Sequence, residues 1–310
     1  MSKLPLPVFE ELSHCTLCPR ECGADRLNGE FGYCNSRAEI SVSSICIHKG
    51  EEPVISGSKG ICNVFFSHCN LQCIYCQNHD ISRNSSQHTE LPLEMVVSRI
   101  CQMLDQTENI VGFVSPSHFI PQMIAIIQGI RQAGKNPVFV YNTNGYDKVE
   151  TLQILEGYID IYLPDFKYRD ENIAFAYSQA RDYPMAAAAA LKEMYRQKGS
   201  SLIVNENGIA ESGIIVRHLV LPGAVQNSLD VLQFIAEEIS PKLQISLMSQ
   251  YFPTHDVSKH PQLSRTIYKE EYQQIVDAFY DFGFYRGWVQ ELISHATYRP
   301  DFSNEQPFEL

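Results

Sequence analysis

Nowhere in the sequence do about 18 apolar residues run together, which excludes a helical membrane span. The start, Met1-Ser2-Lys3-Leu4-Pro5, has no long apolar run behind it. No signal peptide is therefore expected, and the cytoplasm is the expected location. Basic residues are scarce: 24 Lys and Arg face 36 Asp and Glu, a formal net charge of -12, and no window holds a Lys/Arg-rich stripe. A partner whose affinity comes from phosphate neutralisation, nucleic acid above all, is excluded. Internal repeats and long low-complexity linkers are also absent.

What the chain does have is size, with 310 residues of which 44% are hydrophobic. That suffices for two small domains or one large α/β unit of the barrel type. It also has ten cysteines. In a cytosolic chain these read as metal ligands or redox groups rather than a disulfide framework. Seven of the ten fall in two tight groups, Cys15, Cys18, Cys22 and Cys34, then Cys69, Cys73 and Cys76. Cys46, Cys62 and Cys101 stand apart and read as small buried hydrophobes.

Residues 1–60 are interrupted by Pro and Gly throughout and read as an irregular, Cys-rich N-terminal lobe. From residue 61 to 310, short β-branched or aromatic runs alternate with stretches of helical period, the pattern of βα units around a parallel sheet. Strands are expected at 61–67, 110–114, 137–142, 159–166, 213–221 and 243–247. Helices are expected at about 92–105, 119–133, 147–156, 183–198, 227–239 and 268–282. Asn227-Ser228 and Ser117-His118 are the expected N-caps of two of them, the second with Pro121 in its first turn. Six consecutive units predict an open (β/α)6 partial TIM barrel with a small Cys-rich N-terminal lobe and a C-terminal extension. Functional groups then belong at the carboxyl ends of the strands.

Just past the first expected strand lies Cys69-Asn70-Leu71-Gln72-Cys73-Ile74-Tyr75-Cys76, with spacing C-x3-C-x2-C. Three thiolates on a short loop can each take one iron of a [4Fe–4S] cubane, and the missing fourth leaves one iron open. The competing readings are a zinc site, which normally takes four ligands, or three reduced thiols. The motif, with an aromatic before its last cysteine, resembles the radical S-adenosylmethionine superfamily. Phe65-Phe66-Ser67-His68 before it and Gln77-Asn78 after it are similar to the pyruvate formate-lyase activating enzyme-like branch, related to glycyl-radical-enzyme activases. The likeness covers nearly the whole chain. It implies a cluster that chelates S-adenosylmethionine and cleaves it to a 5′-deoxyadenosyl radical. It also implies that Tyr75 lies against the adenine.

Where that superfamily carries a Gly-rich stretch after its second strand, this chain has Val114-Ser115-Pro116-Ser117-His118. Ser115 and Ser117 would bind the cofactor in its place, unless they only form a turn. His118 is a further candidate contact. Asn142 and Asn144 follow the third strand and can bind ribose hydroxyls; Asp165 and Lys167 follow the fourth, and Lys167 can offset a carboxylate. The alternative is a turn at Asn144-Gly145 and a surface ion pair. The resembling family often has an acid where Asn142 stands, which puts a bound monovalent cation in doubt. Arg217, in Arg217-His218-Leu219-Val220-Leu221-Pro222-Gly223, resembles the family's Arg-x4-Pro-Gly and would take a methionine carboxylate. Its rival is a buried pair with Asp165 or another acid. His218 faces the other way and reads as structural. Gln250 and Tyr251 are expected to line the site, and the 284–290 run with the single tryptophan, Trp288, to be a final strand and core.

The front cysteines, C-x2-C-x3-C-x11-C, suit a zinc ion or a second iron–sulfur cluster. The functional expectation is an enzyme fed electrons by reduced flavodoxin or ferredoxin, which abstracts hydrogen, with a glycyl radical enzyme as the implied partner. A small molecule or peptide as substrate is the alternative, and a non-catalytic iron–sulfur electron carrier is the rival from outside enzymes.

Overall fold

The computed structural model describes residues 10–292, 294, 300–304 and 306–308. Among these residues nine strands form one sheet: β1 Val42–His48, β2 Ile61–Phe66, β3 Ile110–Val114, β4 Val138–Thr143, β5 Ile161–Pro164, β6 Ile203–Val204, β7 Ala210–Leu219, β8 Gln244–Met248 and β9 Gly287–Val289. Among the described residues nine α-helices intervene: α1 Pro53–Ser56, α2 His79–Ser82, α3 Leu93–Leu104, α4 Ile120–Gln132, α5 Val149–Ile154, α6 Glu171–Ser178, α7 Tyr183–Lys198, α8 Val225–Phe234 and α9 Lys269–Asp281. The sheet path is β1-β2-β3-β4-β5-β7-β8-β9, and β6 pairs antiparallel with β7 off that path. All neighbours from β2 to β9 are parallel, while β1 runs antiparallel to β2. No pairing joins β1 to β9 among the described residues, so the barrel is open.

Strand alternation sorts the side chains into two faces. Val64, Phe66, Val111, Phe113, Phe139, Tyr141, Tyr162, Val216, Ile245 and Leu247 pack in the main core with the helices. Ile61, Ile110, Val140, Ile161, Leu163 and Ile215 form a second core on the opposite, inner face. One or two steps further along the strands, the inner positions turn polar: Asn63, Asn142, Asp165, Arg217 and Ser246. The barrel is thus plugged with aliphatics at the amino ends of its strands and polar toward the carboxyl ends. β2, β3 and β5 are buried at every residue, which explains why their runs are apolar, with Asn63 as the polar exception.

Several expectations need correction. The stretch 1–60 is not irregular throughout, because β1 joins the sheet. Helix α6 had no expected counterpart, although Asp170 caps it, its carboxylate accepting from the backbone N–H of Asn172 and Ile173 at 2.7 and 3.0 Å. Asn227 and Ser228 are not caps: α8 begins at Val225. Asn227 Oδ1 instead accepts from Arg169 N at 2.9 Å, and its Nδ2 donates to Lys167 O at 3.0 Å. α4 begins at Ile120, without a side-chain cap from Ser117, and has Pro121 in its first turn as expected. Cys46 and Cys62 are fully buried, whereas Cys101 is half-buried.

The front lobe lies on the carboxyl ends of the strands. The Arg20 guanidinium donates to the carbonyls of Asn70 (3.0 Å), Ser178 (3.4 Å) and Gln179 (2.6 Å). Arg26 Nη1 donates to His118 O at 2.7 Å, and Thr151 Oγ1 to Leu17 O at 2.7 Å. At the other end of the chain, Phe302 and Phe308 pack on Phe65, and the Phe308 ring centroid lies 3.9 Å from that of His48.

Candidate active site

A cavity of about 510 Å³ opens within the barrel. Cys69, Cys73 and Cys76 line it, together with Tyr75, Ser115, Asn142, Asn144, Asp165, Lys167 and Arg217. Residues that stand far apart in the chain therefore meet around one space, as the βα order predicts. The chain leaves β2 abruptly, with His68 at φ 64°, and leaves β3 through Ser115 at φ 52°. Both are non-glycine residues in the left-handed region, at the carboxyl ends of neighbouring strands, where strained backbone commonly marks a functional turn. Gly145 answers a different need. A Cβ there would sit 2.2 Å from Asp165 O, so only glycine lets the loop after β4 pass the end of β5.

Each sulfur of the loop has its own polar neighbour. Cys69 Sγ accepts from Asn144 Nδ2 at 3.2 Å and Leu71 N at 3.4 Å. Cys73 Sγ accepts from Ser178 Oγ at 3.0 Å, and Cys76 Sγ lies 3.1 Å from Ser82 Oγ. Burial, then the neighbouring thiol charges, push Cys69 up to about 12. Cys73 rises to about 11 by burial, opposed by the positive charge of Lys167. A metal at the thiolates would reverse this order, since it binds the deprotonated form.

Lys167 Nζ donates to Asp165 Oδ2 at 2.5 Å. Burial works against its charge, but Asp165 and Cys73 more than offset that, so its pKa is raised and it stays a cation. Asn142 Nδ2 reaches Glu51 Oε1 at 3.5 Å. Arg217 Nε donates to Glu52 Oε1 at 2.8 Å and its Nη2 to both Glu52 and Glu51. Burial opposes this charge too, and Glu51 and Glu52 overcome it, raising the pKa. The acid partner that competes for Arg217 is therefore this adjacent pair, and the backbone of Asp165 only bridges to it.

Other candidates sit elsewhere. Ser117 is buried outside the cavity wall, its hydroxyl 3.2 Å from Thr143 Oγ1 in a network that ends on Asp147. His118 is buried beside β2: its Nε2–H donates to Ser67 O at 2.9 Å, and burial holds it neutral, down to about 3. Tyr75 reaches the cavity, but its hydroxyl points away, 2.5 Å from that of Tyr168. Gln250 lines the cavity, whereas Tyr251 is packed beside it with its hydroxyl on Leu263 O at 2.6 Å. Trp288 and Gln290, expected in core, line the cavity. His218 is structural as expected: its Nδ1–H donates to Phe166 O at 2.7 Å and its Nε2 accepts from Ser228 at 2.8 Å. Glu51, Glu52, Ser82, Tyr168 and Ser178 do not stand out in the sequence. Only the adjacent acids, set between Gly50 and Pro53, offered a signal.

Among the described residues no three His, Cys, Asp or Glu converge as a ready site for one metal ion. In the front lobe Cys15, Cys18 and Cys34 are buried and Cys22 is exposed. Cys22 and Cys34 press on Gly32, where a Cβ would lie 3.2 and 3.6 Å from their sulfurs. Burial first, then the charges of Cys34 and Cys15, raise Cys18 to about 12.

No protein-family model matches the chain. An uncharacterized protein of Methanocaldococcus jannaschii is 27% identical over 274 residues, 85% of this chain and 73% of that one. Among solved structures, anSMEcpe with bound AdoMet is similar over 70% of this chain and 58% of its own, at 14% identity and TM-score 0.46. SuiB of Streptococcus suis is similar over 73% and 47%, at 13% identity and TM-score 0.48. HydG, a maturase of the [FeFe]-hydrogenase, is similar over 77% and 54%, at 14% identity and TM-score 0.47. The chain spans about half the length of these solved chains. Likenesses of this size carry no argument about chemistry.

Proposed function

We propose that the protein is a radical S-adenosylmethionine enzyme whose [4Fe–4S] cluster is held by Cys69, Cys73 and Cys76. The observation that carries this reading is that three cysteines of one loop, with no fourth, open onto a cavity that also holds the half-buried cation Lys167. When bound, the cluster would supply an open iron for S-adenosylmethionine and the electron that cleaves it to methionine and a 5′-deoxyadenosyl radical. The chain's own residues hold and orient. Lys167, fixed by Asp165, places positive charge where a carboxylate can settle. Asn142 and Asn144 offer amides to hydroxyls. Arg217, with its charge taken by Glu51 and Glu52, is better suited to shape the wall than to bind the methionine carboxylate.

Anaerobic reconstitution followed by dithionite and S-adenosylmethionine tests this, with 5′-deoxyadenosine measured by mass spectrometry. Product that disappears in Cys73→Ala supports the reading. A cluster-loaded protein that makes none is an electron carrier instead.

Within that class the sequence resemblance favours abstraction of a glycine Cα hydrogen on a glycyl radical enzyme in the cytoplasm, with reduced flavodoxin or ferredoxin as donor. An EPR-detected glycyl radical on the partner would support it; deuterium transfer from a small molecule or peptide alone would favour that substrate. Cys15, Cys18, Cys22 and Cys34 are the candidate ligands of a zinc ion or a second iron–sulfur cluster. Iron and zinc analysis of the purified protein decides between them.

A further inference from the structure

The sulfur of Cys73 ends a chain of buried hydroxyls. Ser178 Oγ lies 3.0 Å from Cys73 Sγ, Tyr168 OH 2.7 Å from Ser178 Oγ, and Tyr75 OH 2.5 Å from Tyr168 OH. Ser178 and Tyr168 have no exposed surface and Tyr75 has 4%. A thiolate has no proton to give, so Ser178 must donate to Cys73. Each hydroxyl carries one hydrogen, so Ser178 then accepts from Tyr168, and Tyr168 from Tyr75. The order Tyr75 to Tyr168 to Ser178 to Cys73 is thereby fixed. Each link polarises the next and strengthens the last bond onto sulfur.

Ser178 is also held in place rather than merely near. Ile74 N donates to Tyr177 O at 2.9 Å, and Arg20 donates to the carbonyls of Ser178 and Gln179. The end of α6 is therefore pinned to the cysteine loop and to the front lobe together.

We propose that Ser178 is a positioning residue that raises the reduction potential of the centre at Cys73, with Tyr168 and Tyr75 as its support. The proposal rests on Cys69, Cys73 and Cys76 being cluster ligands. Reduction adds negative charge that a donated hydrogen bond stabilises, and bonds of this kind set the potentials of iron–sulfur centres. Tyr75 then serves the thiolate through its hydroxyl, a role separate from any contact of its ring.

The test is an EPR-monitored redox titration of the reconstituted full chain. Ser178→Ala should lower the reduction equilibrium constant about tenfold, which for one electron is about 59 mV. Tyr168→Phe, which leaves the Ser178 donor in place, should give a smaller drop, and Ser178→Thr should restore the wild-type value. An unchanged midpoint in Ser178→Ala with full iron content overturns the proposal. So does a Thr variant as low as the Ala variant. Should Ser178→Ala fail to load iron, Tyr168→Phe decides, and a wild-type midpoint there overturns the proposal. A wild-type chain that takes up no iron and shows no signal is a different failure, since it removes the cluster itself.

Discussion

The cysteines of the loop after β2 and those of the front lobe are the same residue in different surroundings. Each loop sulfur touches a polar group brought from elsewhere: Asn144 from the end of β4, Ser178 from α6, Ser82 from α2. Each also faces the cavity with Lys167 and Asp165. The front sulfurs have polar neighbours too, Asn70 and the Arg20 backbone at Cys18 and Ser36 at Cys34, but they do not face the cavity. Arg26 Nη1 stands 3.7 Å from Cys15 Sγ, Cys22 and Cys34 crowd Gly32, and none of the four lines the cavity. Metal sites that support structure are closed, and those that support chemistry keep an open side. On the proposed reading the loop serves the reaction and the lobe holds shape.

The sharpest way to break that contrast is to remove one cysteine from each. Cys73→Ala should abolish 5′-deoxyadenosine formation. Cys18→Ala should keep turnover per bound loop cluster and lower the thermal midpoint instead. A Cys18→Ala protein of unchanged melting temperature but dead chemistry would make the lobe part of the active site.

Next in size is an effect of acid on the barrel beneath the loop. Burial lowers His218 to about 4 from its ordinary 6.5, with Lys167 adding to that and Asp165 opposing it. The folded state thus holds it neutral, while the unfolded chain takes up a proton near pH 6.5. Its contribution is complete above that pH and is lost as pH falls toward 4, about 3 kcal/mol in all. Urea midpoints across that range should fall for wild type and fall less for His218→Gln, which keeps a donor and an acceptor. Parallel curves for the two proteins would remove His218 from the account.

Smaller again is the link between the two regions. Arg20 joins lobe to loop through three carbonyls, and its guanidinium lies 4.0 Å from the Tyr33 ring centroid. Arg20→Ala should cost about 2 kcal/mol in urea denaturation. A cost near zero would mean that the lobe is held by its apolar contacts alone.

Much of this was legible before any coordinates. The run 110–114 is a strand end to end, and 183–198 is a helix at both of its expected bounds, because one is β-branched or aromatic at every position but Gly112 and the other centres on Ala186–Ala190. β1 was not, since Ser43, Ser44 and His48 dilute its apolar positions and prolines and glycines crowd the same stretch. The loop cysteines announced themselves by spacing. Ser178 could not: it lies 105 residues from Cys73, in a helix with no cysteine, and only the fold brings the two together. Arg217 was half legible. Its charge demanded a partner, either a methionine carboxylate or a buried pair with Asp165 or another acid, and the connection from β1 to β2 supplies Glu51 and Glu52 as that pair.

The smallest effect should come from the same lobe-to-barrel boundary that Arg20 crosses. Lys148 Nζ meets Glu21 Oε1 at 2.5 Å, a shorter contact than any Arg20 makes, yet the glutamate side chain is 56% exposed. Water already solvates the carboxylate and salt screens the pair, while holding two long side chains in one geometry costs entropy. Of the three carbonyls that Arg20 meets, those of Asn70 and Ser178 belong to buried residues, and only that of Gln179 is exposed. Lys148→Met should therefore leave the urea midpoint unchanged at physiological salt, despite the better distance. If it destabilises the protein as much as Arg20→Ala does, burial is not what separates the two contacts, and the lobe is held to the barrel by charge.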